Sequence, residues 1–375
     1  MPVALDQQLR PLRIAGASLP VVGAARVYVC GVTPYDVTHL GTASTYVWVD
    51  VVCRLLRHLG TDVELCRNVT DVDDVLLAAA RRAGAPYDSF AAVQQFQFEQ
   101  DMAALGVRRP THEPRAHNFV RQVVSLAAGL VESGHAYVRA GSVYFKGAAA
   151  PARAGLSNDE ALARSTEFHD EPDDPAKDNP FDVAIWRATQ EGAPAWPSPW
   201  GPGRPGWHAE CTAMALSTYG SSLDLHAGGA DLRFPHHAYE AAQAEAFTGV
   251  TPFSRAWMHV GMVRVGGAKM AKSARNLVLT SQLLRDHPPA AIRLLLLRRP
   301  WSQSWEFDAA EFVEAEAELE ALFSASARPG GASAAATDAV LAALRADLDV
   351  PAALTVALDE GGSAARTLVE ILGLR

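Results

Sequence analysis

Lysine is nearly absent from this 375-residue chain: of 33 basic residues only Lys146, Lys177, Lys269 and Lys272 are lysine, and the rest are arginine. Cysteine is scarce too. Cys30, Cys53, Cys66 and Cys211 are too few and too scattered for a disulfide framework, which points to a reducing compartment. Positive charge is not in excess: the net charge is −9, so the bulk field repels polyanions and argues against a nucleic-acid partner. No apolar run reaches the length of a membrane span, and the N-terminus lacks a basic-then-apolar leader. With 49% hydrophobic and 20% charged residues, disordered and fibrous classes are excluded. The expectation is a soluble, cytoplasmic protein of two or three domains.

The order of elements predicts an α/β fold. RVYVC (26–30) reads as a strand, 41–58 as a helix stopped by Gly60, and DVELC (62–66) as a second strand before a helix from Asp74. Strand, helix, strand implies a parallel sheet with a right-handed crossover. Residues 1–25 read as an irregular lead-in and 86–135 as helical. The Pro/Gly/Trp segment 193–207 reads as irregular structure wrapped around a site. The α/β pattern resumes with strands at 223–228 and 257–265, and everything after Ser281 looks helical.

Three segments carry chemistry. CGVTPYDVTHLGTAST (30–45) follows a strand and opens a helix, the place where free N–H groups meet phosphate, with His39 and Gly41 at the turn. The plainer reading of His39 is a polar helix cap. GGAKMAKSARN (266–276) places Lys269 and Lys272 three residues apart after two glycines. Such a pair can neutralise charge developing on a phosphate, although a solvated basic turn is the commoner use. The third group is Cys30, Cys211, His236, His237 and Glu240, soft and borderline metal donors that the predicted sheet would bring to one edge.

Together these segments resemble the class I aminoacyl-tRNA synthetases. YVCG (28–31), NVTDVDD (68–74), WPSPWGPGRPGWHAEC (196–211), HAGGADLRFPHH (226–237) and KMAKS (269–273) are similar to the cysteine branch, cysteinyl-tRNA synthetase and its paralogue, the mycothiol cysteine ligase. VTPYDVTHLG (32–41) and the chain end at Arg375, short of an anticodon-binding domain, favour the ligase side. Two positions depart from the pattern: Thr42 stands for the second His of His-x-Gly-His, and Ala271 for the first Ser of the lysine loop. Glu240, four residues after His236, is a feature of the synthetases.

The resemblance implies a Rossmann-like catalytic domain over 1–285 with an insertion at about 115–200, followed by a C-terminal helical bundle over 286–375. It implies one Zn²⁺ per chain on Cys30, Cys211 and His236, with Glu240 a fourth ligand. Cys30, Gly31, Val32, Thr33, Thr45, Asn68, Val69, Thr70 and Trp207 would line a cysteinyl-adenylate pocket. Gly229, Ala230, Asp231 and Val263 would contact the nucleotide. His39, Thr42, Lys269 and Lys272 would act on the α-phosphate of MgATP. The substrates implied are cysteine, ATP and a small amine, most simply glucosaminyl-inositol; the enzyme is expected to be a monomer that uses neither tRNA nor a membrane. Three other readings stay open: the same cysteine activation with another small-amine acceptor in a specialised pathway, a synthetase-like protein that only binds a partner, and a truncated tRNA-charging enzyme.

Overall fold

Four runs rich in Val, Leu and Ala form one parallel sheet, ordered in space as Ser254–Val260, Leu223–Gly229, Ala25–Val32 and Val63–Val69. The computed structural model describes residues 11–35, 38–189, 194–270, 276–329 and 334–375. The sheet strands are buried over most of their length, as expected when helices cover both faces. Helix Leu40–His58 lies on one face; helix Trp207–Tyr219 lies on the other and packs against helix His236–Thr248. From Ala25–Val32 the chain crosses over to Val63–Val69 on one side. From Leu223–Gly229 it crosses to Ser254–Val260 on the other. The crevice between these two central strands is therefore the topological switch point, where open α/β sheets bind ligands.

Residues 136–205 contribute a separate antiparallel sheet of Ala136–Arg139, Ser142–Phe145, Val183–Ala188 and Gly203–Pro205. Helix Val120–Glu132 covers it, and its core, with Val123, Leu126, Ile185 and Trp186, is distinct from that under the parallel sheet. The helices from Thr280 to Leu372 form a bundle sharing one apolar core with Leu40–His58. Arg293, 1% exposed, ties the two together. Its guanidinium donates to Asp50 Oδ2 at 2.8 Å, to the Leu372 carbonyl at 2.9 Å and to the Leu105 carbonyl at 3.0 Å.

Several expectations need correction. The stretch 86–135 is two helices, Tyr87–Ala104 and Val120–Glu132. Between them a Pro110- and Pro114-containing segment runs beside the edge strand, with Arg67 N–H donating to the His112 carbonyl and Val69 N–H to that of Pro114. Proline bars helix there, and the segment covers an otherwise open edge. The run 257–265 divides at Gly261, where a Cβ would lie 2.2 Å from the Gln303 carbonyl oxygen. Val263–Val265 leaves the main sheet and pairs with Trp305–Glu306, so the region after Ser281 is not wholly helical. The lead-in holds a hairpin, Leu12–Ile14 with Ala17–Leu19. The 193–207 segment ends in a true strand, because Gly203–Pro205 completes the second sheet.

Candidate active site

At the C-terminal ends of the two central strands four donor side chains meet. Cys30 lies near the end of its strand, and Cys211 sits in the second turn of helix Trp207–Tyr219. His236 and Glu240 are one turn apart, hence on one face, at the start of helix His236–Thr248. Their ligand atoms all lie within 4.8 Å of one another, and no side chain is more than 5% exposed. The Cys30 thiol donates to Glu240 Oε1 at 3.2 Å, and His236 Nε2 is 2.9 Å from the same oxygen. A second set, Cys30, His226, His237 and Glu240, overlaps the first.

Electrostatics distinguish the two thiols. Burial, then contact with Cys211 and Glu240, pushes Cys30 well above its usual range. For Cys211 burial acts in the same direction, but the Cys30 thiol and His236 outweigh it and bring the group down to about 7. Burial would lower His236, yet Glu240 and Cys211 raise it to about 10. Glu240 Oε2 is buried without a hydrogen bond. Two thiols, an imidazole and a carboxylate with an unsatisfied oxygen, gathered away from water, fit a metal ion of borderline softness.

Asn68 braces this cluster from the neighbouring strand. Its Nδ2 donates to Cys211 Sγ at 3.2 Å and its Oδ1 accepts from Gly31 N–H at 2.8 Å. Position 31 has no room for a side chain: a Cβ would fall 1.4 Å from the Asn68 carbonyl oxygen. Beyond it, Thr33 and Thr70 hydroxyls share a 2.7 Å hydrogen bond, and Thr70 N–H donates to the Val32 carbonyl. Val69 is paired to Val32 in the sheet. The Trp207 indole stacks on the His236 ring at 4.0 Å.

The remaining site candidates lie at the start of helix Leu40–His58, at the end of strand Leu223–Gly229 and in the strands from Val263 to Lys269. His39 is its N-cap, with Nδ1 accepting from Thr42 N–H at 3.2 Å. That assigns the ring proton to Nε2, which faces the Thr42 hydroxyl at 3.2 Å. His39 thus takes the polar-cap position at the start of this helix. Thr45 lies one turn further on, 9% exposed. Gly229 and Ala230 continue the Leu223–Gly229 strand into a short turn, and Asp231 there accepts from Lys269 Nζ at 2.5 Å. Lys269 also lies 3.9 Å from Glu167 and over the Phe168 ring. Val263 is buried in its two-strand pairing with Trp305. Lys272 and Ala271 lie outside the described residues.

A family model described as the tRNA synthetases class I (C) catalytic domain matches residues 20–317, which is more than half of the chain. The chain belongs to that family. Among curated relatives of this class I (C) chain, a protein of Streptosporangium roseum is 42% identical over 92% of this chain and 88% of its own length. A protein of Mycolicibacterium vanbaalenii is 44% identical over 94% and 83%. Both are named L-cysteine:1D-myo-inositol 2-amino-2-deoxy-alpha-D-glucopyranoside ligase. Among solved structures, Mycobacterium tuberculosis methionyl-tRNA synthetase bound by methionyl-adenylate aligns with a TM-score of 0.65 at 18% identity, over 92% of this chain and 83% of that one. At that identity the likeness concerns the fold: a Rossmann-like class I synthetase domain.

The class I (C) site also contains residues that the sequence did not single out. His208 Nδ1 is 2.8 Å from His236 Nδ1, and His208 Nε2 is 3.0 Å from Asp170 Oδ1. Asp170 is flanked by His169 and Glu171, both at positive φ (61° and 51°), a backbone state that non-glycine residues seldom adopt. His208 was visible as a neighbour of Trp207 three residues before Cys211. Asp170 gave no signal, because it comes from a loop 38 residues away from His208.

Proposed function

We propose that this enzyme activates L-cysteine with MgATP and transfers it to a small amine, the amino group of glucosaminyl-inositol, forming an amide. The observation that carries this reading is the buried Cys30, Cys211, His236 and Glu240 cluster at the switch point, beside the helix end capped by His39. In the first half-reaction a carboxylate oxygen of cysteine attacks the α-phosphorus of ATP and the bond to diphosphate breaks. In the second, the acceptor amine attacks the adenylate carbonyl carbon, loses a proton and expels AMP. Zn²⁺ held by the four side chains would bind the substrate thiolate and so separate cysteine from serine, which a shape-based pocket does poorly.

This chain's own groups do the rest. His39 Nε2–H and the helix N-terminus donate to the α-phosphate, with Thr42 beside them, while Lys269 and Lys272 supply positive charge. Thr33, Thr45, Thr70 and Trp207 enclose the adenylate, and Gly229 to Asp231 with Val263 hold the nucleotide. We place residues 1–285, with the module inserted at about 115–200, as the catalytic domain and 286–375 as a supporting bundle. The enzyme works as a cytoplasmic monomer without tRNA; among the described residues no helix is long and apolar enough to cross a membrane.

The test is AMP formation from cysteine and ATP with either glucosaminyl-inositol or total tRNA added, at low and high salt. Turnover is expected with the aminosugar and with mild salt dependence, because few ions are released. Turnover driven by tRNA would replace this reading with a tRNA-charging one. Normal pyrophosphate exchange with neither acceptor used would leave cysteine activation and discard the aminosugar.

The His208–Asp170 pair carries a further expectation. With Asp170 accepting from His208 Nε2–H, His208 Nδ1 is free to accept from His236 Nδ1–H, and the lone pair of His236 Nε2 is left toward the cluster. Asp170→Ala should therefore weaken zinc binding about ten- to a hundredfold, the usual size for losing such an outer partner. Chelator competition checks this, and an unchanged affinity would assign Asp170 to the loop alone.

A further inference from the structure

Between the second sheet and the segment that follows Asp170 lies a polar cleft of about 380 Å³. Its chemistry comes from Ser142, Tyr144, Glu171, Asp174, Arg187 and Arg204. Most of these are held in place by one another. Arg187 donates to Glu171 at 2.9 Å, Tyr144 donates to Asp174 at 2.8 Å, and Arg204 Nη2 donates to Asp74 at 2.8 Å. One donor is left over. Arg204 is only 4% exposed, yet its Nη1 has no hydrogen-bond partner. A buried guanidinium N–H without an acceptor is costly, so its persistence points to an oxygen that arrives with a ligand.

The lining also says what kind of ligand. Two guanidiniums face Glu171 and Asp174, with Asp74 behind Arg204, so no surplus of positive charge is offered to a phosphate. Interleaved donors and acceptors suit hydroxyl groups, each of which does both. The volume is within the range of small-molecule sites, about 300–1,000 Å³. Two links connect the cleft to the donor cluster. Glu171 follows Asp170, which reaches His236 through His208. Asp74 opens the helix that follows strand Val63–Val69, and that strand carries Asn68, the donor to Cys211.

We propose that this cleft is the acceptor subsite, binding the polyhydroxylated body of the amine with Arg204 Nη1 as its central donor; the assignment rests on the amide-forming reading above. The inserted module then supplies the acceptor specificity, and the parallel sheet supplies the activation half-reaction.

The test compares Arg204→Met and the near-isosteric Tyr144→Phe with the parent enzyme in two assays. With glucosaminyl-inositol, the acceptor KM should rise about ten- to a hundredfold for Arg204→Met, the size of one charged hydrogen bond, and severalfold for Tyr144→Phe. Cysteine-dependent pyrophosphate exchange, which needs no acceptor, should stay within about twofold of the parent in Tyr144→Phe. A parent enzyme that turns over normally while both variants keep its acceptor KM would overturn the subsite alone. Exchange falling in step with acceptor use in both variants would also overturn it, since the side chains would then serve activation or the fold. A parent that exchanges pyrophosphate but forms no amide would remove the reading beneath it and the assigned ligand together.

Discussion

Cys211→Ser should lower the zinc content from about one ion per chain to a small fraction, since an exchangeable thiolate ligand gives way to a poor hydroxyl donor. Cysteine-dependent pyrophosphate exchange should fall with it by more than about a hundredfold, exceeding the usual effect of losing an outer partner of a ligand. The geometry ties Cys211 closely to its neighbours, and His226 and His237 of the overlapping donor set are the groups that a retained metal in this variant would have to use. Cys30 and Glu240 are already engaged with each other at 3.2 Å, and Asn68 would be left pointing at a hydroxyl. The companion variant is Cys53→Ala, in a thiol buried within helix Leu40–His58 and absent from both donor sets. It should keep the metal and lose only packing. Elemental analysis and exchange kinetics on the two variants decide the matter; full exchange by a zinc-free Cys211→Ser protein would sink the metal assignment.

Lys269→Ala and Lys272→Ala should each slow pyrophosphate exchange by about ten- to a thousandfold, the range for removing one contact to charge that builds in the transition state. Cysteine affinity should change little, because Lys269 pairs with Asp231 and belongs to neither donor set. Lys269 has a second consequence. Its ammonium is held by Asp231 at 2.5 Å, so a phosphate arriving there would compete with that carboxylate for it. Equilibrium binding of cysteine measured beside exchange rates separates the two effects. A loss of cysteine affinity as large as the loss in rate would contradict a nucleotide role.

The sequence by itself determined the parts that depend on local pattern. Short β-rich runs ended by Gly or Asn, alternating with amphipathic helices, sufficed for the parallel α/β sheet, and the His39–Gly41 turn was legible as the start of its first long helix. The i,i+4 spacing of His236 and Glu240 is enough to put them on one helix face, since it is close to one helical turn. Only the tertiary structure decided what those residues meet. Cys30 and Glu240 are 210 positions apart and Asn68 and Cys211 143 apart, and no periodicity reports contacts at such separations. The same limit hid the prolyl segment along the sheet edge and the strand at Gly203–Pro205, because both are ordered by partners remote in sequence. It also hid Asp170, which is flanked by two left-handed residues and reaches His208 from 38 positions away. Periodicity records which face of an element is buried, whereas a site at a switch point is made by the ends of elements, and their convergence is set by the sheet order.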